Sequence, residues 1–551
     1  MVLRKNIRGK YILIFSIITI FLLNVLLRFP TTNHQIGCDS YRNTRTAQSI
    51  IKYGEIKWFV NILSLYGYYP YSYPTGAIVI LSEHSLLSSL SADLSVLCIS
   101  IIEGVFAFFF MFLFVQKSFK NKLLAVIAGF IYSTSPGMLY FTTWTFSTRG
   151  MLLILYPLLL LLMWMSVQNK NVKLYTIFFI FLFTFVSVHK AWIFIFIFII
   201  IFYIIYFRDK IMFSIKKRQI FNYSFIMLIS IMIFLIINSD IFSNMIKIFN
   251  DPFTINDIYD INSYRFMLLK YGKDIGFSGI FIIFGLLFYI KNINRDPYFV
   301  VLSGMILLVP TIYIVTYSSL IILFVFTLVS SAGVIFLINN IKKKKQKSYV
   351  LIFFAIFIAG VLSFSAITQV WHPGIIRGER IDMKVDIPRS ISPGALGGAF
   401  WLKYTNPKEN LGFVFNEELT AHRILTFCDG YAINDRFQFE LINGFVDKNF
   451  EIEPNPIIEW PDKGPFSSKL APTAYKVYGA LRYMSVNNPR CKEIIVRYNL
   501  SYAVENNYYH GMQGFYPPNM YYSEFFDTLP QYCYVVYKNS RLSVYFIDTS
   551  K

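Results

Sequence analysis

Long apolar blocks separated by short basic segments dominate the first two thirds of the chain. The strong blocks run over 11–28, 95–116, 123–141, 150–167, 173–188, 191–207, 220–239, 276–290, 297–316, 318–340 and 349–370. Blocks of about 17–25 apolar residues are long enough to cross a bilayer as helices. The pattern predicts a polytopic α-helical membrane protein of about eleven transmembrane helices. A further block, YPTGAIVILSEHSLLSSLSA (73–92), is apolar but holds Glu83 and His84 at its centre and is rich in serine. It reads as a helix lying at the membrane interface or dipping into it.

The polar segments between the blocks orient the chain. Arg4, Lys5, Arg8 and Lys10 precede the first block, and Lys117–Lys122, Lys170–Lys173, Arg208–Arg218, Lys291–Arg295 and Lys342–Lys347 join later ones. With eleven spans all of these fall on one side, which the positive-inside rule makes cytoplasmic. Counting 73–92 as a full span would put KSFKNK outside and invert the later loops. The membrane module is then 1–370, with the N-terminus cytoplasmic. Its first outer loop, 29–93, carries candidate helices at 41–54 and 75–91 joined by the aromatic turn LYGYYPYSYP. Other outer pieces are 142–149, the tight join at 188–191 and a longer polar loop at 240–275. Residues 371–551 form an extracytoplasmic C-terminal domain, expected to be mixed α/β because LGFVF, EIIVRY, YAVEN and RLSVYFI alternate like strands.

Composition changes this picture little. With 55% hydrophobic and 15% charged residues the chain is too apolar for one soluble core. The net charge of +20 is accounted for by topogenic loop lysines, so no nucleic-acid partner is expected. Cys38, Cys98, Cys428, Cys491 and Cys533 show no paired metal spacing; the last three share the tail, which leaves a disulfide there open. No small-residue cleavage pattern follows the first block, which is read as an uncleaved span. There is no Walker A loop, GxSxG, HExxH or Rossmann fingerprint. Asn499-Leu500-Ser501 matches the glycosylation tripeptide, a pattern that also arises by chance.

Ionisable residues beside the spans carry the candidate chemistry. Asp39 opens DSYRNTRTA just after the first block. It suits a helix N-cap, and a capped carboxylate is also a well-positioned general base. Arg42 and Arg45 follow at helical spacing, as phosphate ligands or headgroup anchors. Arg149 in TFSTRGMLL, and His189 and Lys190 in VSVHKAWIF, sit at outer ends of spans, where basic residues are depleted. They either snorkel or bind phosphate, for which an Arg fork and a Lys point charge are both suited. Glu103 lies inside a span beside Gly104 and reads as a functional group or a neutral helix-packing residue. Glu83, His84 and Arg265 are secondary candidates; Arg265 lies in DPFTINDIYDINSYRFMLLKYGKD, a mixed-charge loop.

Together these features resemble the GT-C superfamily of integral-membrane glycosyltransferases, which includes protein O-mannosyltransferases, aminoarabinose transferases and oligosaccharyltransferase catalytic subunits. The resemblance covers the whole architecture. DSYRNTRTAQSIIKYGEI is similar to the family's first-loop pattern, YPYSYPTGAIVILSEHSLL to the following interfacial helix, SPGMLYFTTWTFSTRGMLLILYPLLLLL to a stretch bearing a phosphate-binding Arg, and HKAWIFIFIF to a span of archaeal members. The resemblance implies Asp39 as catalytic base and Arg149 as ligand of the donor phosphate, with Lys190 or His189 and, more weakly, Arg42 assisting. It implies a polyprenyl-phosphate or polyprenyl-pyrophosphate sugar donor, a glycan, lipid or protein acceptor, and inversion at the anomeric carbon. The WWDYG motif of oligosaccharyltransferases is absent, and Asp39 has no adjacent acid. No cofactor follows from the residues; a divalent metal is left open without an acidic pair to indicate it. The alternative is a transporter or lipid-linked-glycan flippase, which would want inverted repeats and several midplane polar groups; the chain has no repeat and one main midplane charge, Glu103.

Overall fold

A computed structural model gives the arrangement of residues 2–30, 32–56, 65–66, 74–169, 171–189, 192, 199, 272–295, 297–299, 301–302, 318–343, 347–366, 391–405, 411–416, 418–428, 430–433, 481, 484–507 and 524–548. In chain order the helices are α1 (Val2–Leu27), α2 (Cys38–Tyr53), α3 (Gly76–Ser88), α4 (Ala92–Phe119), α5 (Lys122–Thr134), α6 (Pro136–Thr142), α7 (Thr148–Asn169) and α8 (Val172–Val188). A 3-10 turn, Gly276–Phe281, leads into α9 (Ile282–Lys291), followed by α10 (Ser318–Lys343) and α11 (Lys347–Ser365). The tail adds α12 (Pro393–Thr405), β1 (Gly412–Phe415), α13 (Glu418–Phe427), β2 (Tyr431–Ile433), α14 (Pro489–Arg497), β3 (Leu500–Asn506), α15 (Glu524–Tyr532), β4 (Tyr534–Lys538) and β5 (Leu542–Phe546). The chain divides into two compact units, Met1–Thr31 with Cys98–Val385 and Gly464–Phe466, and Thr32–Leu97 with Asp386–Lys463 and Ser467–Lys551.

The first unit is helical. Among the described residues four helices are long and apolar enough to cross a membrane: Ala92–Phe119, Thr148–Asn169, Gly272–Lys291 and Ile322–Ile341. The expected span at 123–141 is instead the pair α5 and α6, bent by 52°. The bend has a local cause. Pro136 cannot continue the α5 hydrogen-bond ladder, and Ser135 caps the new helix by accepting from the Met138 N–H. The expected spans at 191–207, 220–239 and most of 297–316, with most of the 240–275 loop, lie outside the described residues. The helices meet closely where side chains are absent. A Cβ on Gly285 would stand 1.9 Å from the Val329 carbonyl oxygen, and one on Gly333 2.0 Å from that of Phe281. Small residues that let backbones touch are how helices associate where lipid removes the hydrophobic drive.

The second unit holds a five-stranded sheet in the order β2-β1-β3-β5-β4. β1 pairs in parallel with β2 and β3, while β3–β5 and β5–β4 are antiparallel. Strand alternation sends successive side chains to opposite faces. Val414, Ala503 and Tyr545 go to one face, covered by Cys491, Ile494 and Ile495 of α14 and by Phe525, Phe526 and Leu529 of α15. Phe413, Phe415, Tyr502, Val504 and Val544 go to the other, covered by Ala399 and Leu402 of α12 and by Ala421, Ile424 and Leu425 of α13. Covered faces are what parallel strands require. LGFVF, YAVEN and RLSVYFI are strands as expected, but EIIVRY is not: it is the second half of α14. Asn488 caps that helix by accepting from the Arg490 N–H, and Pro489 occupies its first turn. Its buried residues Cys491, Ile494 and Ile495 follow the i, i+3, i+4 spacing of a helix face.

Cys491 and Cys533 pack in one apolar cluster. Burial, then the neighbouring Cys533, pushes the Cys491 thiol up to about 12 from 9.0. Burial, then Asp548, pushes the Cys533 thiol up to about 11. A thiol whose pKa is higher in the folded state stabilises the fold fully below its unfolded value and loses that contribution as pH rises to the folded one.

Two outcomes follow from this packing. Gly333→Ala is expected to cost about 1–3 kcal/mol in the unfolding of detergent-purified protein. Gly272→Ala, whose Cβ meets nothing within 4 Å among the described residues, is expected to be silent. The thermal midpoint is expected to fall as pH rises from about 9 toward 11, and Cys491→Ala to flatten that fall.

Candidate active site

The candidate base sits on α2, in the second unit. Gly37 starts the helix with φ 91°, and Gly54 ends it with φ 67°, its N–H bonding the Ile50 carbonyl. Both are conformations that glycine adopts without cost. Asp39 is not the N-cap. It stands one residue into the first turn, where the positive helix end favours an acid. Its carboxylate pairs with the Arg42 guanidinium one turn on, and the two side chains are 40% and 9% exposed. The sequence brings these two candidates together.

Three sets of contacts hold α2 in place. Tyr41, Arg45 and Gln48 recur at helical spacing along it and reach the tail. The Tyr41 hydroxyl accepts from the Ile391 N–H at 3.1 Å and donates to the Gln35 carbonyl at 2.7 Å. Arg45 donates to the Gly430 carbonyl at 3.0 Å, and Gln48 to that of Thr426 at 3.1 Å. Arg45, 3% exposed, is thus a tether to the tail. On a second face Ser40 and Thr44 donate to the Gln35 side-chain oxygen at 2.6 and 2.9 Å. On the same side as these, Ser82 of α3 donates to the Ala47 carbonyl at 3.3 Å. The loop before α2 is fixed in turn. Asp93 accepts from the Gln35 N–H at 3.1 Å and lies 3.0 Å from His34 Nδ1. Neither His34 nor Asp93 stood out in the sequence; two polar residues so far apart give no spacing signal.

The other candidates are dispersed. Glu83 is on the exposed face of α3, whose buried positions are Ala77, Ile78, Leu81, Ser82 and Ser85; His84 is half-buried. Arg149, half-buried, is the second residue of α7, in the first unit, and its N–H bonds the Ser147 hydroxyl at 3.3 Å. His189, also in the first unit, follows the last turn of α8 and is 9% exposed. Lys190 and Arg265 lie outside the described residues. Among the described residues no group of three His, Cys, Asp or Glu side chains is placed to hold a metal ion.

The first unit contains a buried polar cluster around Arg28 that sequence reading half found. Arg28, fully buried, donates to Thr142 at 2.8 and 3.1 Å, to the Asn24 side chain at 2.9 Å and to the Ser133 carbonyl at 3.0 Å. It also interacts electrostatically with Glu103, whose carboxylate oxygens are buried with no hydrogen-bond partner among the described residues. Gly104 supplies the room, since a Cβ there would stand 2.3 Å from the Arg28 guanidinium carbon. Asn24 and Arg28, four apart at the end of the first apolar block, were the available signal.

No family model matches this chain, and no curated protein matches it. Solved structures do. The apo oligosaccharyltransferase of Archaeoglobus fulgidus aligns over 97% of this chain and 74% of its own, with a TM-score of 0.63 and 13% identity. Archaeal oligosaccharyltransferase AglB from the same organism, in complex with an inhibitory peptide and a dolichol-phosphate, aligns over 92% and 70%, with a TM-score of 0.62 and 12% identity. ArnT from Cupriavidus metallidurans in the apo state aligns over 98% and 99%, with a TM-score of 0.53 and 10% identity. The chain has the GT-C fold. At such identities the likeness shows the fold and leaves the chemistry to this chain's own residues.

Arg28→Met leaves the hydroxyl, amide and carbonyl oxygens served by the buried guanidinium unpaired and is expected to cost about 3–5 kcal/mol. The double variant Arg28→Met/Glu103→Gln is expected to cost less than the sum of the single changes, in thermal unfolding of the detergent-purified protein. Additive costs would contradict the pairing.

Proposed function

We propose that this protein is a membrane glycosyltransferase that moves a sugar from a polyprenyl-phosphate-linked donor to an acceptor hydroxyl. The observation that carries the reading is Asp39: a half-exposed carboxylate on a helix tied to the loop before it, to α3 and to the tail, in a chain with the GT-C fold. Catalysis by a general base requires such positioning before it requires anything else. Arg42 fixes the carboxylate's orientation from one side.

Asp39 takes the proton of the acceptor hydroxyl as its oxygen attacks the anomeric carbon. The bond from that carbon to the donor phosphate oxygen breaks, and the polyprenyl phosphate leaves. Arg149 receives the donor phosphate, with His189 and Lys190 assisting. The start of α7 suits this role, because helix N–H groups and a guanidinium act together on an anion. Charge developing on the leaving phosphate is what such cations stabilise. No step here requires a metal. The acceptor is a glycan, a lipid or a protein on the outer face. The N-terminus is cytoplasmic, about eleven helices span the membrane, and the tail lies outside, as the basic loops indicate. AglB, one of the structural neighbours, was captured with a dolichol-phosphate, which supports a lipid-phosphate donor. A transporter finds no such support.

Membranes carrying Asp39→Asn, supplied with a panel of polyprenyl-phosphate sugars, are expected to lose transfer by about 10²–10⁴-fold while donor binding is retained. Arg149→Ala is expected to weaken donor binding instead. Wild-type transfer by Asp39→Asn would overturn the assignment.

A further inference from the structure

A second anion site is suggested at another part of the first unit. Residues of the α4–α5 turn, the end of α7 and the segment after α9 enclose a cavity of about 680 Å³. Lys117, Lys120 and Arg295 line it, with Ser118, Trp164 and Tyr298. The ion pairs among the described residues are His34–Asp93 and Arg42–Asp39, so none of these three cations has an acidic partner there. Asp296, next to Arg295, lies outside the described residues. The Ser118 hydroxyl is buried, in a residue 5% exposed, and has no hydrogen-bond partner among the described residues. A buried hydroxyl left unbonded is costly unless something outside the protein completes it. The wall is built rather than incidental: the Tyr298 ring is packed edge-on at 4.9 Å from Phe119 and 5.1 Å from Tyr289.

We propose that this cavity binds the phosphate of an anionic ligand, with Lys117, Lys120 and Arg295 on the phosphate oxygens and Ser118 donating to one of them. Three cations with no acidic partner among the described residues and a hydroxyl donor match a phosphate better than a carboxylate, which offers fewer acceptor oxygens. The site uses none of the residues proposed for the transfer reaction. The basic loops that line it are those that topology places at the cytoplasmic face, where anionic headgroups concentrate. A phospholipid headgroup and a free phosphate share this chemistry.

The test uses the full chain. Native mass spectrometry of protein from nanodiscs of equal phosphatidylglycerol and phosphatidylcholine counts the lipid retained. Inorganic phosphate is titrated in detergent by thermal shift. Preferential retention of phosphatidylglycerol, undisturbed by phosphate, identifies a headgroup; stabilisation by phosphate that also displaces the lipid identifies a free phosphate. In either case Lys117→Gln/Lys120→Gln/Arg295→Gln is expected to weaken binding at least about tenfold. Ser118→Ala is expected to weaken it less, with normal gel-filtration behaviour. No lipid preference together with no phosphate effect at millimolar concentration would overturn the proposal. So would binding unchanged in the triple variant, which would leave these charges a topogenic role only.

Discussion

The Tyr41 hydroxyl joins residues far apart in the chain. It bonds the Gln35 carbonyl before α2 and the Ile391 N–H at the start of the tail domain. Around it Tyr41 is wholly buried with Ile391 and Ala395, its ring edge-on to Phe427. A buried hydroxyl that donates and accepts at once satisfies two backbone groups, and both must keep their places for it to do so. Everything said of Asp39 depends on this arrangement, because Asp39 is two residues away on the same helix. Residues Thr32–Leu97 and the tail therefore belong to one compact unit, although most of the apolar helices lie between them in sequence.

The two units solve the problem of buried polarity differently. In the second, polar side chains of α2 reach backbone carbonyls of the loop and the tail, Ser82 of α3 reaches a carbonyl of α2, and each bond ties one element to another. In the first, Arg28 collects hydroxyl, amide and carbonyl oxygens at the end of the first apolar helix and faces Glu103. A buried charge held this way is expensive to make and expensive to break. Gly104 shows how much space the arrangement demands.

Much of the architecture was legible in the chain. The apolar blocks gave α4, α7 and α10, and the Asp39 to Gly54 stretch gave α2, because its Tyr-Gly end fits a left-handed cap. Alternation gave β1, β3 and β5. It failed at EIIVRY, where two adjacent isoleucines fit either period and the Asn488-Pro489 start decides for a helix. Blocks alone did not show the α5–α6 bend, although Ser135-Pro136 marks it. The candidate site was legible only in part. Asp39 and Arg42, three apart, could be paired on a helix by spacing. Arg45's partner could not, since a carbonyl at Gly430 has no sequence signature. Nor could the Asp93 clamp or the Arg28 cluster, which depend on residues brought together by the fold.

The central claim is that Asp39 acts as a base in a single displacement, and the stereochemistry of the product tests it most directly. Purified enzyme would be given a donor of known anomeric configuration. The product would be read by NMR, and the protein by mass spectrometry for a sugar on Asp39. The account predicts an inverted anomeric centre and unmodified Asp39. A retained configuration, with a glycosyl ester on Asp39, would contradict it.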